Sequence, residues 1–403
     1  MILFKKLLRT FLHYKTQFIS MILMIMIGIG VFLGFNMEWK TIERNTNDFF
    51  SETGFQDFYV EANGTELTID DYNNVKNLDG VDSLTLFLKK KVKDLSSKNE
   101  SYLSLSVIKD YGKPTKLYRV KGEAYDEEKE GFYISDKYLN KHNYKIGDNL
   151  KLDNGYEAPI LGTVKSGQYL ICINEDEGQL MPDYSSYGFV YMTPKLYESK
   201  ADYYYNTLLI ESDKSEDFKR NIQEAIGDSG IAKYKNQDVN YSESRGEMEE
   251  GQTIGNILPY IFLVIALLTM ITTMHRVTIN DKIQIGTLKA LGFKNRKITT
   301  HYASYGLVIS IIGSILGIGL GYLICYLIMN PNGMMGTYMD MPKWKMTVPG
   351  FGWLVIVLTI ILLTFISYLS VRRILAGTAA DSLRPYTPKK TKPLIIERFK
   401  FKY

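Results

Sequence analysis

The stretch "NDKIQIGTLKALGFKNRKI", residues 280–298, lies between two long apolar runs, Gly251–Met274 and Ile298–Met339. Ile283, Ile285, Leu288 and Leu291 put apolar groups on much of a short helix. Thr278 with Asp281 predicts a capping box at its start, and Gly292 is a natural C′ terminator. Lys294, Arg296 and Lys297 follow as a basic tail. Such an element is either a surface helix resting on lipid headgroups or a docking element for a partner, and the pattern alone leaves both open.

The flanking runs belong to a set of four. Thr16–Met37, Gly251–Met274, Ile298–Met339 and Met346–Val371 contain no Lys, Arg, Asp or Glu. About 20 apolar residues cover the hydrocarbon of a bilayer, so each run is long enough to span, with Pro331 ending the helix of the third. Lys5, Lys6, Arg9 and Lys15 precede the first run, as in a secretory leader. Its apolar core is too long for one and "GFNMEW" offers no small-x-small cleavage site, which predicts an uncleaved anchor.

Charge sets the expected orientation. Four Lys/Arg and no acids precede the first run, six against one lie in 275–300, and nine against two follow the fourth run. Residues 38–253 carry 27 Lys/Arg and 40 Asp/Glu. Basic flanks stay cytoplasmic, so both termini and the 275–300 loop are expected inside and the acidic 38–253 segment outside. The overall charge of +4 therefore describes the inner flanks and not a nucleic-acid surface. Cys172 in the outer segment and Cys325 in the third run are too separated to pair.

The outer segment alternates short strand-like runs with turns: "GFQDFYVEA", "DSLTLFL", "SYLSLSVI", "KLYRVKG", "GFYISDKYL", "APILGTV", "QYLICI", "GFVYMTP" and "YYYNTLLIES". "SEDFKRNIQEAIG" reads as a helix. "NMEWKTIERNTNDFFSET" and "VNYSESRGEMEEGQTIGNILPY" read as helices that join the first two spans to this α+β domain. Pro259 is expected to kink the second span or mark where stalk becomes span. In the third span, Gly313, Gly317 and Gly321 are spaced four apart with Gly319 between, a small-residue stripe suited to close helix packing.

Chemistry is sparse. No G-x-x-x-x-G-K-[ST], H-E-x-x-H or Cys-x-x-Cys occurs, and His13, His142, His275 and His301 are scattered. No catalytic set and no metal site is expected. The acidic runs at 123–130 and 175–177 read as solvated turns, and "YYY" at 203–205 as packing. No charged residue lies inside a span, which weighs against a proton- or ion-coupled carrier.

Residues 274–324 resemble the signature region of FtsX/MacB-type ABC transporter permeases, in which Arg-Glu-Ile-Gly-x-x-(Lys/Arg)-Ala-Leu-Gly precedes a glycine-rich span. Ile285, Gly286, Lys289, Ala290, Leu291 and Gly292 match, while Gln284 stands where glutamate is usual. "GFYISDKYLNKHNYKIGDNLKL", with its Gly147-Asp148 turn, is similar to MacB-like core domains. "RRILAGTAADSLRP" resembles the family's Ala-Leu-Arg ending, with Leu383 and Arg384 in register.

The resemblance implies a type VII, mechanotransmission permease: four transmembrane helices with a large extracytoplasmic α+β domain inserted between the first two. The expected divisions are 1–16 basic N-terminus, 17–37 first span, 38–253 MacB-like core domain with two stalk helices, and 254–274 second span. They continue as 275–300 cytoplasmic loop with coupling helix, 301–329 third span, 330–347 external loop, 348–371 fourth span and 372–403 basic tail. Lys282, Ile283, Ile285, Gly286, Leu288, Lys289, Leu291 and Gly292 would couple to a separate cytoplasmic ABC ATPase, which would hold the ATP and Mg; this chain itself needs no cofactor. Other implied partners are membrane lipids and a second copy or related half, since "LRPYTPKKTKPLIIERFKFKY" is similar to the junction before a second membrane half in longer relatives. The implied function is export or extraction of a peptide, lipid or antibiotic at a bacterial plasma membrane. The alternative is an FtsX-like regulatory subunit that activates a cell-wall hydrolase or sensor without transport.

Overall fold

The computed structural model describes residues 9–375 except 65, 113 and 201. Leu383, Arg384 and most of the basic tail lie outside the described residues. In chain order the elements are α1 (Lys15–Thr53), β1 (Phe58–Ala62), α2 (Ile69–Lys76), β2 (Ser83–Lys93), β3 (Tyr102–Ile108), β4 (Tyr118–Gly122), β5 (Phe132–Ser135), α3 (Asp136–His142), β6 (Asn149–Lys151), β7 (Glu157–Lys165), β8 (Tyr187–Met192), α4 (Pro194–Tyr197), β9 (Thr207–Glu211), α5 (Lys219–Ile226), β10 (Gly230–Tyr234), α6 (Val239–Asn280), α7 (Lys282–Ala290), α8 (Asn295–Met329), α9 (Met334–Tyr338) and α10 (Gly350–Ile374). Four of them, α1, α6, α8 and α10, are long and apolar enough to cross a membrane. They bracket a mixed sheet between the first and the second.

The described residues fall into two compact units. One holds Val31–Ile257 and Leu320–Gly350; the other holds residues up to Gly30, Leu258–Gly319 and those from Phe351 on.

The first unit is built on a ten-stranded sheet in the order β10-β1-β9-β2-β3-β8-β5-β7-β4, with β6 paired to β7. The β3–β8 and β5–β7 pairs are parallel. Alternation along the strands sorts side chains to two faces. Val190 and Met192 of β8, with Leu208 and Ile210 of β9, join one buried cluster, while Phe189, Tyr191 and Leu209 join the other. Every residue of β8 is buried, as a central strand covered on both faces requires. Gly147 adopts φ +97° in the Gly-Asp turn, where the Asp148 carboxylate accepts from the Lys145 amide at 2.8 Å.

Two readings of the outer segment change. "QYLICI" is no strand: it runs from a 3-10 turn at Gly167–Tyr169 into irregular chain. Its backbone is satisfied by other partners, because the Ile171 amide donates to Asn240 Oδ1 at 2.9 Å and Asn240 Nδ2 donates to the Gln168 carbonyl at 2.9 Å. Conversely, "GIAKY" forms the edge strand β10 on β1, which its glycine start and short length concealed.

The parts of α1 and α6 in this unit pair closely. Asn36 Nδ2 donates to the Gly255 carbonyl at 3.0 Å, and Trp39 Nε1 donates to Asn36 Oδ1 at 3.0 Å. A Cβ on Gly251 would sit 3.2 Å from that of Trp39. Further along, Tyr241 stacks on Phe50 and Phe55 at 5.8 and 6.3 Å.

The second unit is helical. Met21, Ile25 and Ile29 of α1 meet Met270 and Met274 of α6, Tyr302 and Ile309 of α8, and Leu363 of α10 in one apolar cluster. Elsewhere its helices keep Ile261, Val264 and Leu268 of α6 and Leu354, Val357 and Ile361 of α10 exposed, a surface suited to hydrocarbon. Pro259 lies inside α6, which is continuous across it.

Candidate functional site

The loop of the opening stretch is a helix packed on one side against the helical core. Asp281 forms the corner between α6 and α7; it is buried, and the Tyr302 hydroxyl donates to its carboxylate at 2.7 Å. The expected Thr278/Asp281 capping box is absent. Thr278 is still helical, with its hydroxyl donating to the Met274 carbonyl at 2.6 Å, and Asp281 makes no side-chain cap. The buried corner needs its carboxylate for Tyr302, so a tertiary contact replaces the local one.

The end of α7 follows local rules. Gly292 adopts φ +86°, its amide donates to the Lys289 carbonyl at 3.0 Å, and the Phe293 amide reaches back to the Leu288 carbonyl at 3.0 Å. This is a Schellman arrangement, in which glycine carries the left-handed residue without a Cβ penalty. Leu288 and Phe293, the pair that accompanies such a turn, both pack on the helical core.

The faces of α7 differ from a uniformly docking helix. Ile285 and Gly286 are buried, and Leu288 is half-buried against the same core, so these three belong to the unit's own interior. Ile283 and Leu291 are 68% and 70% exposed, and with Thr287 and Ala290 they form the outward face. Lys282 is half-buried, and Lys289 donates to the Leu375 carbonyl at 3.0 Å, tying α7 to the end of α10. Of the eight residues read as a partner surface, Ile283 and Leu291 therefore face outward as apolar groups.

The glycine stripe is a seam against α1. A Cβ on Gly313 would come 2.8 Å from Ile25 Cβ, and one on Gly317 would come 2.8 Å from Ile29 Cβ. Contacts this short require the missing side chain. In the other unit Gly34 of α1 continues the pattern, since its added Cβ would lie 3.4 Å from the Gly321 carbonyl oxygen. Gly319 differs: it faces open space and packs against nothing, being on the opposite side of the helix. One close approach was not read from the sequence, that of Gly306 to Ser367 of α10.

The sheet unit contains a charge network that sequence reasoning missed. Lys165 at the end of β7 is buried, pairs with Asp136 at 2.8 Å and also pairs with Asp340, which Lys137 approaches at 3.3 Å. Burial pulls the Lys165 ammonium down, but the Asp340 and Asp136 carboxylates more than offset this and hold it above the usual lysine range. The Asp340 amide donates to the Leu170 carbonyl at 2.6 Å, and Lys137 donates to the Gly336 carbonyl at 3.0 Å. Asn45 of α1 exchanges two hydrogen bonds with the backbone of Lys345, and the Tyr338 hydroxyl donates to Glu243 of α6 at 3.2 Å. Residues 336–345 are thus fastened to the sheet and to the parts of α1 and α6 in this unit. The acidic runs serve locally, as in the Lys91–Glu177 pair at 2.7 Å, and Tyr205 of "YYY" is buried in the sheet core.

Among the described residues, four helices long and apolar enough to cross a membrane, with a mixed sheet inserted in the chain between the first two, define a multi-pass membrane protein with a large domain between its first two spans. Residues 256–379 match the family model of the FtsX-like permease C-terminal domain. That stretch, about a third of the chain, is similar to the C-terminal domain of FtsX-like permeases.

No curated protein sequence matches it. Among solved structures it is similar to the extracellular domain of the noncanonic ABC-type transporter YknZ from Gram-positive bacteria. The identity is 15% and the TM-score 0.31, over 44% of this chain and 98% of that one. It is also similar to the periplasmic region of MacB from Actinobacillus actinomycetemcomitans, with 12% identity and a TM-score of 0.32, over 52% of this chain and 98% of that one.

Proposed function

We propose that the chain is a permease subunit on which a separate cytoplasmic ABC ATPase acts through the outward face of α7. The observation that carries this reading is the mounting of that helix. Ile283 and Leu291 are exposed on an element whose other side is fixed by Ile285 in the core, by Asp281 to Tyr302 and by Lys289 to the end of α10. A partner pressing on Ile283 and Leu291 would therefore move the ends of α6 and α8 with the helix and would not merely bend a loop.

Because α1 and α6 are single helices of 39 and 42 residues, displacement can pass along them into the sheet unit. In this reading both termini and α7 are cytoplasmic, the sheet domain is extracytoplasmic, and ATP and Mg bind to the partner. The work serves export or extraction of an amphiphile such as a peptide, lipid or antibiotic, with a second permease copy or related half completing the membrane assembly.

The test is co-expression of the full chain with its cognate ATPase. The reading expects the two to copurify and the chain to change ATP turnover. Failure of both results would overturn it.

A further inference from the structure

Where α8 begins and α10 ends, three depressions of the helical unit run together. One, of about 650 Å³, is bounded by Arg296 and Thr299 of α8 and by Tyr368, Arg372 and Arg373 of α10. The second, of about 450 Å³, continues from Tyr368 between the two helices and is walled by Leu307, Ile360, Ile361 and Phe365. The third, of about 540 Å³, shares Arg296 with the first and Thr300 and Ser304 with the second, and adds Lys294 and Lys297. The mouth is cationic and the interior is apolar.

None of Arg296, Arg372 and Arg373 enters an ion pair among the described residues. All three are exposed and line one depression, so their like charges make its rim a favourable place for an anion. The apolar groove reaches along α8 and α10 to the level of Leu307 and Ile360, toward the middle of both membrane-crossing helices. A free inorganic anion would leave that groove empty. An acidic side chain of a protein partner would not extend into it either.

We infer that this composite cavity binds one anionic glycerophospholipid, with the phosphate between Arg296, Arg372 and Arg373 and an acyl chain in the groove between α8 and α10. Guanidinium forks suit phosphate oxygens, and basic pockets between membrane helices suit anionic headgroups. The inference rests on the membrane placement of α8 and α10 but not on any ATPase contact, so its failure leaves the coupling reading standing.

The test uses the full chain purified in mild detergent. Binding of phosphatidylglycerol, phosphatidylcholine and inorganic phosphate is titrated separately by native mass spectrometry. Wild type should bind phosphatidylglycerol about tenfold or more tightly than phosphatidylcholine. Arg372→Gln with Arg373→Gln should remove that preference, whereas the charge-matched Lys15→Gln with Arg276→Gln, at exposed positions outside the cavity, should keep it. Thr364→Trp, which fills the groove, should weaken both lipids; if it fails to fold, the exposed arginine variants still decide. Equal affinity for the two lipids, equal loss in both double variants, or inorganic phosphate binding as tightly as phosphatidylglycerol would overturn the inference.

Discussion

Ile283 and Ile285 are two residues apart on a nine-residue helix, and that phase separates a partner contact from a core contact. Ile283→Asp with Leu291→Asp should abolish ATPase copurification while leaving the helical unit folded, since neither side chain packs on it. Burial of each would contribute about 1.5–3 kcal/mol to a complex. Ile285→Asp should instead cost the permease its own stability, seen as a lower melting temperature in detergent without any ATPase. Gly292→Ala places a Cβ on a residue at φ +86°, a strain of about 1–2 kcal/mol, and should lower the same melting temperature modestly. Apolar positions and the glycine stop were legible in the sequence. The phase was not, because apolar residues at 283, 285, 288 and 291 fit two helix faces and only the packed core chooses between them.

At the scale of elements, the α1–α8 seam depends on Gly313 and Gly317, with Ile25 and Ile29 opposite each. Leucine at both glycines should prevent this approach and reduce assembly or activity, whereas Gly319→Leu should be tolerated because that position faces open space. Comparing the two variants by size-exclusion profile and in-cell function checks the seam. The four-residue spacing was enough to read the stripe, but the outlier at 319 needed the helix's rotation.

The Lys165 network was illegible for a different reason, since Lys165 and Asp340 are 175 residues apart in the chain. Lys165→Met leaves the buried Asp340 with Lys137, at 3.3 Å, as its remaining cationic partner, and should destabilise the sheet unit by less than the roughly 3–5 kcal/mol of a fully orphaned buried charge. Because Lys165 is held above its usual range, the stability contributed by its charge is fully present below the unfolded-state value of about 10.4 and is lost as pH rises through the higher folded value. A pH series of thermal unfolding should therefore show wild type converging on Lys165→Met only in strong alkali.

For the whole molecule, the four charge-free runs and the strand-rich segment between the first and second were readable directly, because bilayer thickness and the two-residue strand period leave plain marks. Strand order was not, since parallel pairs such as β3–β8 join residues 85 apart, as in Tyr102 with Tyr187. The proposed function stands or falls on whether an ATPase meets the outward face of α7. The most direct measurement places a photo-crosslinking residue singly at 283, 285 and 291 in the full chain co-expressed with its ATPase, and identifies the adducts after illumination. ATPase adducts are expected from 283 and 291, and adducts within the permease from 285. Lipid adducts alone from 283 and 291, with the ATPase present and bound elsewhere, would contradict the proposed function.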